Sequence, residues 1–259
     1  MKLVVCVKQV ATIDEELELR DDGLDADFEL ELNEWDAFSL ETALQLREGA
    51  AEGGEVVVVT VGDEDAEEAL VECLARGADR AVRIAAPELA GGEVLGIAAA
   101  LAAAVEREEP DLVLCGVQSS DAASAATGVA LAGRLGLPRV AVVKRVERDP
   151  ASGSLTVWRE LEAGASEVLG VRTPALLTIQ TGSCQPRYAN LRAIKQAREK
   201  PLAVCGLDEL GLAPSAVPRG SRLRGLRAPE TGTAARMLEG DAAELAAAIR
   251  EIIEERVAR

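Results

Sequence analysis

Histidine is absent from this chain of 259 residues, and aromatic side chains make up only 2% of it. Without histidine, Ser-His-Asp and Cys-His catalytic sets, imidazole acid–base steps and histidine-ligated metal sites are excluded. The few aromatic rings leave little material for stacking nucleic-acid bases. Basic residues number 28 against 45 acidic ones, so the formal charge is −17. Because of this negative charge, we expect no general electrostatic binding to nucleic acid or anionic membranes. Because histidine is absent, we expect no hydrolytic or metal enzyme.

The cysteines are few and widely spaced, and the chain has no CxxC motif. Their number is odd, five, which favours neither a disulfide framework nor a zinc site. Cys6 and Cys115 lie in apolar runs and are expected to be buried as small hydrophobic residues. The opening MKLVVCVKQV lacks the features of a signal peptide, and no run of about 18 apolar residues predicts a transmembrane helix. A reduced, cytoplasmic compartment is the expected location.

The first two-thirds of the chain alternates apolar, strand-like runs with segments of helical periodicity. Continuous apolar strands separated by helices are typical of a doubly wound, mostly parallel sheet in an α/β fold, covered by helices on both faces. Strands are predicted at residues 3–7, 55–62, 79–84 and 111–118, and helices at 35–48, 64–76, 94–106 and 122–135.

The pattern changes after residue 139. Residues 140–147, 155–162 and 166–171 alternate polar and apolar side chains between turn signals, which predicts antiparallel strands at an edge of the sheet. The apolar run 175–180 returns to the core, and 191–198 is a short helix. Residues 203–230, rich in glycine and proline, are predicted to form an extended arm, and 241–257 an amphipathic helix. We divide the chain into a nucleotide-binding α/β domain, 1–200, and an arm with a helix, 201–259.

Residues 14–36 contain twelve acidic residues and a single basic one, Arg20. This composition favours a solvated acidic loop and hairpin. A calcium site is the alternative, but the spacing of ligands in an EF-hand is lacking.

The segment after the strand at 111–118 is a candidate phosphate or nucleotide site. Ligands of open parallel sheets lie beyond the carboxyl ends of the strands, near a switch point in strand order. Small residues and the hydroxyls of Ser119, Ser120, Ser124 and Thr127 lead here into a predicted helix, whose free N–H groups favour a phosphate. Neither GxGxxG nor a P-loop motif occurs, and ordinary helix capping explains the same residues.

Several blocks occur in an order that resembles the beta subunit of electron transfer flavoprotein, over nearly the whole chain. They are VCVKQV, LNEWDAFSLETALQLRE, CLARGADRAVRI, DLVLCGVQSSDAASAATG, VWRELEAGASEVLGVRTPALLTIQ and PRYANLRAIKQAREKPL. The variants NEWD, GVQSSD and NLRAIKQA look closest to the methylotrophic-bacterial branch. The resemblance implies an adenine nucleotide alpha hydrolase-like fold in a chain that is one half of an electron carrier and has no catalytic residues of its own.

The resemblance also implies a buried structural AMP. Relatives carry Asn and Gln where this chain has Ala125 and Ala126, so backbone N–H groups and the hydroxyls of Ser124 and Thr127 are left to hold the phosphate. The contacts fall on Cys6, Asn33, Glu34, Trp35, Asp36, Val61, Gly116, Val117, Gln118, Ser119, Ser120, Asp121, Ala122, Ala123, Ser124, Ala125, Ala126 and Thr127.

The partners implied are an alpha subunit, which holds most of the FAD on a mobile domain, a trimethylamine- or dimethylamine-type dehydrogenase, and a membrane quinone reductase. Leu191 matches the family's anchor to the dehydrogenase, unless it packs internally. Glu160 matches a glutamate that pairs with an arginine of the flavin domain, unless it is an ordinary surface carboxylate. The flanks of the anchor are Tyr188, Ala189, Asn190, Arg192 and Ile194.

Two other functions remain open at this point, and a third, an unaided enzyme, fails. In a bifurcating electron transfer flavoprotein, FAD takes the place of AMP. A nucleotide-binding protein like the universal stress proteins would need a glycine-rich triphosphate loop, which the sequence does not contain. An enzyme acting unaided would need a pair of nucleophile and base, which we do not find.

Overall fold

The computed structural model describes residues 1–12, 29–89, 93–149, 151–213, 217, 235 and 237–257. The chain divides into two compact units, Met1–Leu226 and Arg227–Arg259. The boundary predicted at residue 200 remains a prediction.

The described part of the first unit contains eleven strands. Nine of them form one sheet in the order β11-β5-β4-β1-β6-β10-β7-β8-β9, and β2 pairs with β3 in a separate antiparallel ribbon. The strands are β1 (Lys2–Cys6), β2 (Gln9–Thr12), β3 (Glu29–Leu32), β4 (Glu55–Val61), β5 (Arg80–Ala85), β6 (Leu112–Gly116), β7 (Arg139–Arg148), β8 (Leu155–Glu160), β9 (Ser166–Val171), β10 (Ala175–Ile179) and β11 (Leu202–Gly206).

Helices cover both faces of the sheet, because the central strands are apolar on both sides. On one face Leu3 and Val5 of β1 pack with Leu40 and Leu44. On the other face Val4 packs with alanines of the helix Val94–Glu108. The described helices are α1 (Glu34–Glu48), α2 (Ala66–Arg76), α3 (Val94–Glu108), α4 (Thr127–Leu135), α5 (Leu191–Ala197) and α6 (Ala242–Val257).

The sheet confirms the predicted fold class. Its core is parallel, and β8 and β9 add an antiparallel edge through β7. The chain proceeds from β1 outward to β4 and β5, and then crosses back to β6 on the other side of β1. The switch in strand order therefore lies between β1 and β6, and it separates the carboxyl ends of these two strands.

Three predicted elements differ from the structure. The strand predicted at 140–147 as part of an antiparallel edge is β7, which lies inside the sheet and pairs in parallel with β10 and antiparallel with β8. Helix α4 begins at Thr127, five residues later than predicted, and residues 123 and 125 before it have positive φ angles. A helix cannot include such residues, so the segment 122–126 is a loop. Residues 203–206, predicted to start an extended arm, instead lie in β11, which pairs with β5 at the sheet edge.

The predicted acidic hairpin is described only at its base. Gln9 pairs with Leu32 and Thr12 pairs with Glu29 in the β2–β3 ribbon. Most of the acidic run, residues 14–28, lies outside the described residues.

The described part of the second unit contains the predicted C-terminal helix, α6. None of its residues is buried, and Ile249 and Ile253 are about half exposed. Among the helices of the described residues, none is long and apolar enough to cross a membrane.

Candidate nucleotide and docking sites

The amino terminus of α1 holds together the ends of β1 and β6 at the switch point. Asp36 lies in the first turn of α1 and is buried. Its Oδ2 accepts the backbone N–H of Lys8, and its Oδ1 accepts that of Gly116, at 2.8 and 2.9 Å. Both carboxylate oxygens therefore hold backbone at the strand ends, because Lys8 follows β1 and Gly116 is the last residue of β6. Asp36 acts here as a positioning residue.

Burial sets the protonation of this carboxyl group. Removal from water raises the pKa of Asp36 from 3.8 to about 7, although the hydrogen bonds from Asn33, Lys8 and Gly116 and the charge of Lys8 act in the opposite direction. The carboxyl group therefore titrates near neutral pH, at the junction of the two strands.

Asn33, just before α1, fixes the loop that follows β6. Its side-chain Nδ2 donates to the carbonyl of Gln118 at 2.9 Å, and its Oδ1 accepts the N–H of Ser120 at 3.2 Å. The side chain is almost fully buried. A single amide thereby satisfies one donor and one acceptor of the loop, which an Ala at this position could not do.

Gly116 is required by the close approach of α1 to β6. A Cβ at this position would lie 2.5 Å from Asp36 Oδ1 and 2.6 Å from the Cβ of Trp35. These distances are far below van der Waals contact, so any side chain at position 116 would force the helix and strand apart.

The loop from Asp121 to Thr127 presents backbone rather than large side chains. Ala123 and Ala125 have φ angles of 47° and 49°, a conformation unusual for residues with a Cβ. Among the described contacts, no backbone N–H of residues 124–129 donates a hydrogen bond. Successive free N–H groups on a loop with alternating φ sign form a concave anion site.

Lys8 closes one side of this loop. Its Nζ lies 2.6 Å from the Asp121 carboxylate and 3.4 Å from the hydroxyl of Ser119. Burial raises the pKa of Asp121, but the hydrogen bonds from Lys8 and Ser119 outweigh it, and the pKa is lowered. The loop therefore has an ion pair at its start and free backbone donors at its end.

The remaining predicted contact residues meet at the same edge. Cys6 and Val61 end β1 and β4, and Cys6 is the register partner of Cys115 in β6. Hydrogen bonding with Cys6 and burial raise the pKa of the Cys115 thiol, so it stays protonated. This supports the prediction that both cysteines are small buried residues. In the described residues, no group of carboxylates and cysteines has the arrangement of a metal site.

A chain of polar side chains joins the candidate nucleotide site to Glu160. Trp35 Nε1 donates to Gln180 Oε1 at 2.9 Å, and Gln180 Nε2 donates to Glu160 Oε2 at 3.4 Å. Lys144 Nζ lies 2.6 Å from the other oxygen of Glu160. The hydrogen bond from Lys144 lowers the pKa of Glu160, which is ionised at neutral pH. Glu160 is thus a carboxylate held by two neighbours.

The predicted anchor loop lies apart from this edge, beside α1 and α2. Leu191 is 86% exposed and Tyr188 is 91% exposed, so the alternative that Leu191 packs internally does not fit the structure. Asn190 caps α5 through a hydrogen bond from Ala193 N–H at 2.9 Å. Leu191 is the first residue of α5, and the cap holds that residue in a fixed backbone conformation.

Arg187 fastens the base of the anchor loop to α1. Its guanidinium donates to both carboxylate oxygens of Glu41, at 2.8 and 2.9 Å, and to Glu48 at 2.7 Å. The Glu41 side chain is only 5% exposed. Burial raises the pKa of Glu41, but the bonds from Arg187 outweigh it and lower that pKa. The exposed apolar side chains therefore stand on an ordered support.

Sequence reasoning missed four residues of these sites: Lys8, Lys144, Gln180 and Arg187. Lys8 and Gln180 closely follow the carboxyl ends of strands, which is a signal that could have identified them. Lys144 and Arg187 gain their roles from contacts across the fold, for which the sequence gives no signal.

The sequence model of one protein family, the electron transfer flavoprotein domain, matches residues 24–210 of this chain. The geometry defines a class of protein: a doubly wound α/β sheet with a loop of free backbone N–H groups at its switch point. The chain belongs to the electron transfer flavoprotein family, whose function is electron transport.

Individual relatives agree with this assignment. The chain is 43% identical to the electron transfer flavoprotein subunit beta of Methylophilus methylotrophus over 98% of each sequence. It is 36% identical to the subunit beta of Syntrophomonas wolfei, over 78% of this chain and 79% of that one. It is also 34% identical to the caffeyl-CoA reductase-Etf complex subunit CarD of Acetobacterium woodii, over 83% and 82%.

Proposed function

We propose that this chain is the beta subunit of a heterodimeric electron transfer flavoprotein that binds a structural AMP. The match to the Methylophilus methylotrophus subunit beta, which spans 98% of both chains, carries this proposal. In it, an alpha subunit holds most of the FAD, electrons arrive from a trimethylamine- or dimethylamine-type dehydrogenase, and they leave to a quinone reductase. The chain itself performs no bond-making or bond-breaking step.

The residues at the switch point fit an adenylate. The free N–H groups of residues 124–129 would bind the phosphate, with the Ser124 and Thr127 hydroxyls as further donors. Small residues at positions 122, 123, 125 and 126 would let the ligand reach the backbone. Asn33, Asp36 and Lys8 would not bind the phosphate but would hold the loop in place.

Electron transfer would depend on placement rather than on chemistry in this chain. FAD, when bound, supplies the ability to accept and release electrons. The chain would dock the dehydrogenase through exposed Leu191, while Glu160 would offer its ionised carboxylate to the flavin-bearing domain. One exposed apolar anchor with weaker neighbours suits a complex that must form and dissociate at every turnover.

Co-expression with an alpha subunit of the same family tests the proposal. The purified complex should release one FAD and one AMP per heterodimer on acid extraction, and trimethylamine dehydrogenase with trimethylamine should reduce its flavin. A chain that is stable without an alpha subunit and binds ATP as a homodimer would contradict the proposal.

A bifurcating electron transfer flavoprotein is the second candidate. The 34% identity to a subunit of the caffeyl-CoA reductase-Etf complex favours it. In that case a second FAD would occupy the site at 116–127. Acid extraction separates the two functions, because two FAD and no AMP per heterodimer would establish the bifurcating type.

A further inference from the structure

A cleft of about 300 Å³ lies beside the anchor loop, between α2, the β2–β3 ribbon and α5. This volume is at the lower end of the range of roughly 300–1,000 Å³ that small-molecule sites occupy. It suits a single long side chain better than a cofactor. The cleft has no part in the switch-point site described above.

The lining of the cleft is apolar at depth and acidic at the rim. Leu32, Ala69 and Val71 lie in it and are buried. The charged lining residues are Glu31, Glu68, Glu72 and Arg76.

Among the residues that the structure describes, Glu31 is the carboxylate of the cleft rim whose charge no basic side chain compensates. Arg76 pairs with Glu72, and Arg198 pairs with Glu68 at 2.9 Å. Within the described part of the chain, Glu31 pairs with no cation.

The surroundings of the cleft extend this negative charge. Residues 63–72, which lead into and form much of α2, contain six acidic residues and no basic one. Residues 29–34 contain three acidic residues and no basic one. A cationic group that approaches from solvent is therefore attracted to this side of the anchor loop.

The cleft is continuous with the exposed anchor. Tyr188 and Ala189 line it, and Tyr188 is 91% exposed. Leu30, another lining residue, is 49% exposed, and Leu191 begins the helix whose Ile194 also lines the cleft. Large apolar side chains exposed together around a concave surface mark an interaction site.

The geometry points to a second docking contact: the cleft receives a lysine or arginine side chain of the electron-donor dehydrogenase next to Leu191. The aliphatic stem of such a side chain packs on Leu32 and Ala69, and its cationic head pairs with Glu31 at the rim. This contact deepens the proposed function and rests on it. Leu191 inserted into the dehydrogenase and a basic side chain inserted into this chain would fix the rotation that a single anchor leaves free.

Charge reversal at the rim tests this contact in the assembled heterodimer with its cofactors. The probe is trimethylamine dehydrogenase, and the measurement is the second-order rate constant for flavin reduction at low and at high salt. Glu31→Lys should lower the rate constant roughly three- to tenfold at low ionic strength, and Glu31→Gln should lower it less. The loss should shrink at about 1 M salt, where the screening length falls to about 3 Å.

Glu106→Lys is the matched control, because Glu106 is exposed on α3 and lies on the other face of the sheet. It should change the rate constant less than twofold. Equal effects of Glu31→Lys and Glu106→Lys would show that the loss comes from the general charge of the protein and not from the cleft. That result would overturn the inference. FAD and AMP contents report whether each variant is folded.

Leu191→Ala separates this inference from the proposed function. If Leu191→Ala slows reduction and Glu31→Lys does not, the inference fails while the proposed function stands. A wild-type complex that trimethylamine dehydrogenase cannot reduce would overturn both the proposed donor and this contact.

Discussion

The switch-point site and the anchor loop are built in opposite ways. At the switch point, buried side chains such as Asn33 and Asp36 hold backbone, and the loop they hold presents N–H groups with hardly any side chain. At the anchor loop, the buried Glu41–Arg187 pair holds the support, and large side chains point to solvent. In the proposed function, the first site would recognise a small ligand through backbone and the second would recognise a protein through side chains. Substitutions should therefore act differently in the two regions.

The largest expected effect concerns the ionisation of Asp36. Its pKa in the folded chain is about 7 against an ordinary value of 3.8, so the folded state prefers the protonated form. The stability that this preference gives is fully present below pH 4 and is lost as the pH rises through 7, by about 4 kcal/mol. Asp36→Asn cannot titrate, so the wild-type free energy of unfolding, relative to that of the variant, should fall over this range. Chemical denaturation at several pH values measures it, and a flat difference would contradict the raised pKa.

A methyl group at position 116 should have the next largest effect. Gly116→Ala places a Cβ 2.5 Å from Asp36 Oδ1, so we expect a loss of about 1–3 kcal/mol of unfolding free energy and a lower AMP content in the purified complex. Gly170→Ala is the matched control, since a Cβ there meets nothing within 4 Å. Equal stability of the two variants would show that the approach of α1 to β6 leaves room for a Cβ at position 116.

Truncation of the anchor should alter docking without altering stability. Leu191→Ala should raise the KM for the dehydrogenase roughly tenfold, because a central apolar anchor contributes more than about 1 kcal/mol to binding. The free energy of unfolding should change by less than about 0.5 kcal/mol, since the side chain is 86% exposed. Val168→Ala, which shortens another exposed apolar residue, should leave KM unchanged. Loss of AMP or FAD in Leu191→Ala would assign the residue to the core instead.

The smallest effect is expected at the hydroxyls of the loop from Asp121 to Thr127. Ser124→Ala combined with Thr127→Ala should weaken AMP binding by about fivefold or less, because the backbone N–H groups remain. Calorimetric titration of the nucleotide-free heterodimer measures the change. If AMP binding were abolished, the hydroxyls and not the backbone would be the principal phosphate contacts.

Much of the fold followed from local sequence patterns. Continuous apolar runs such as 55–62 formed buried parallel strands, since a short run rich in valine is typical of a strand covered on both faces. The start of α4 could not be found in this way. Its preceding run of serine and alanine has no strong preference, and the contacts of Asn33 and Lys8 with the loop decide its conformation.

The sequence by itself determined the alternation of strands and helices, the exclusion of histidine chemistry, and the place along the chain where a phosphate-binding loop could lie. These properties are local, because periodicity and composition act over a few residues. Only the tertiary structure decided that Asp36 serves the backbone of two strands, that Gln180 links Trp35 to Glu160, and that Glu31 borders a cleft beside the anchor loop. Each of these contacts joins residues far apart in the chain. Their geometry depends on how helices and strands pack, which no short stretch of sequence encodes.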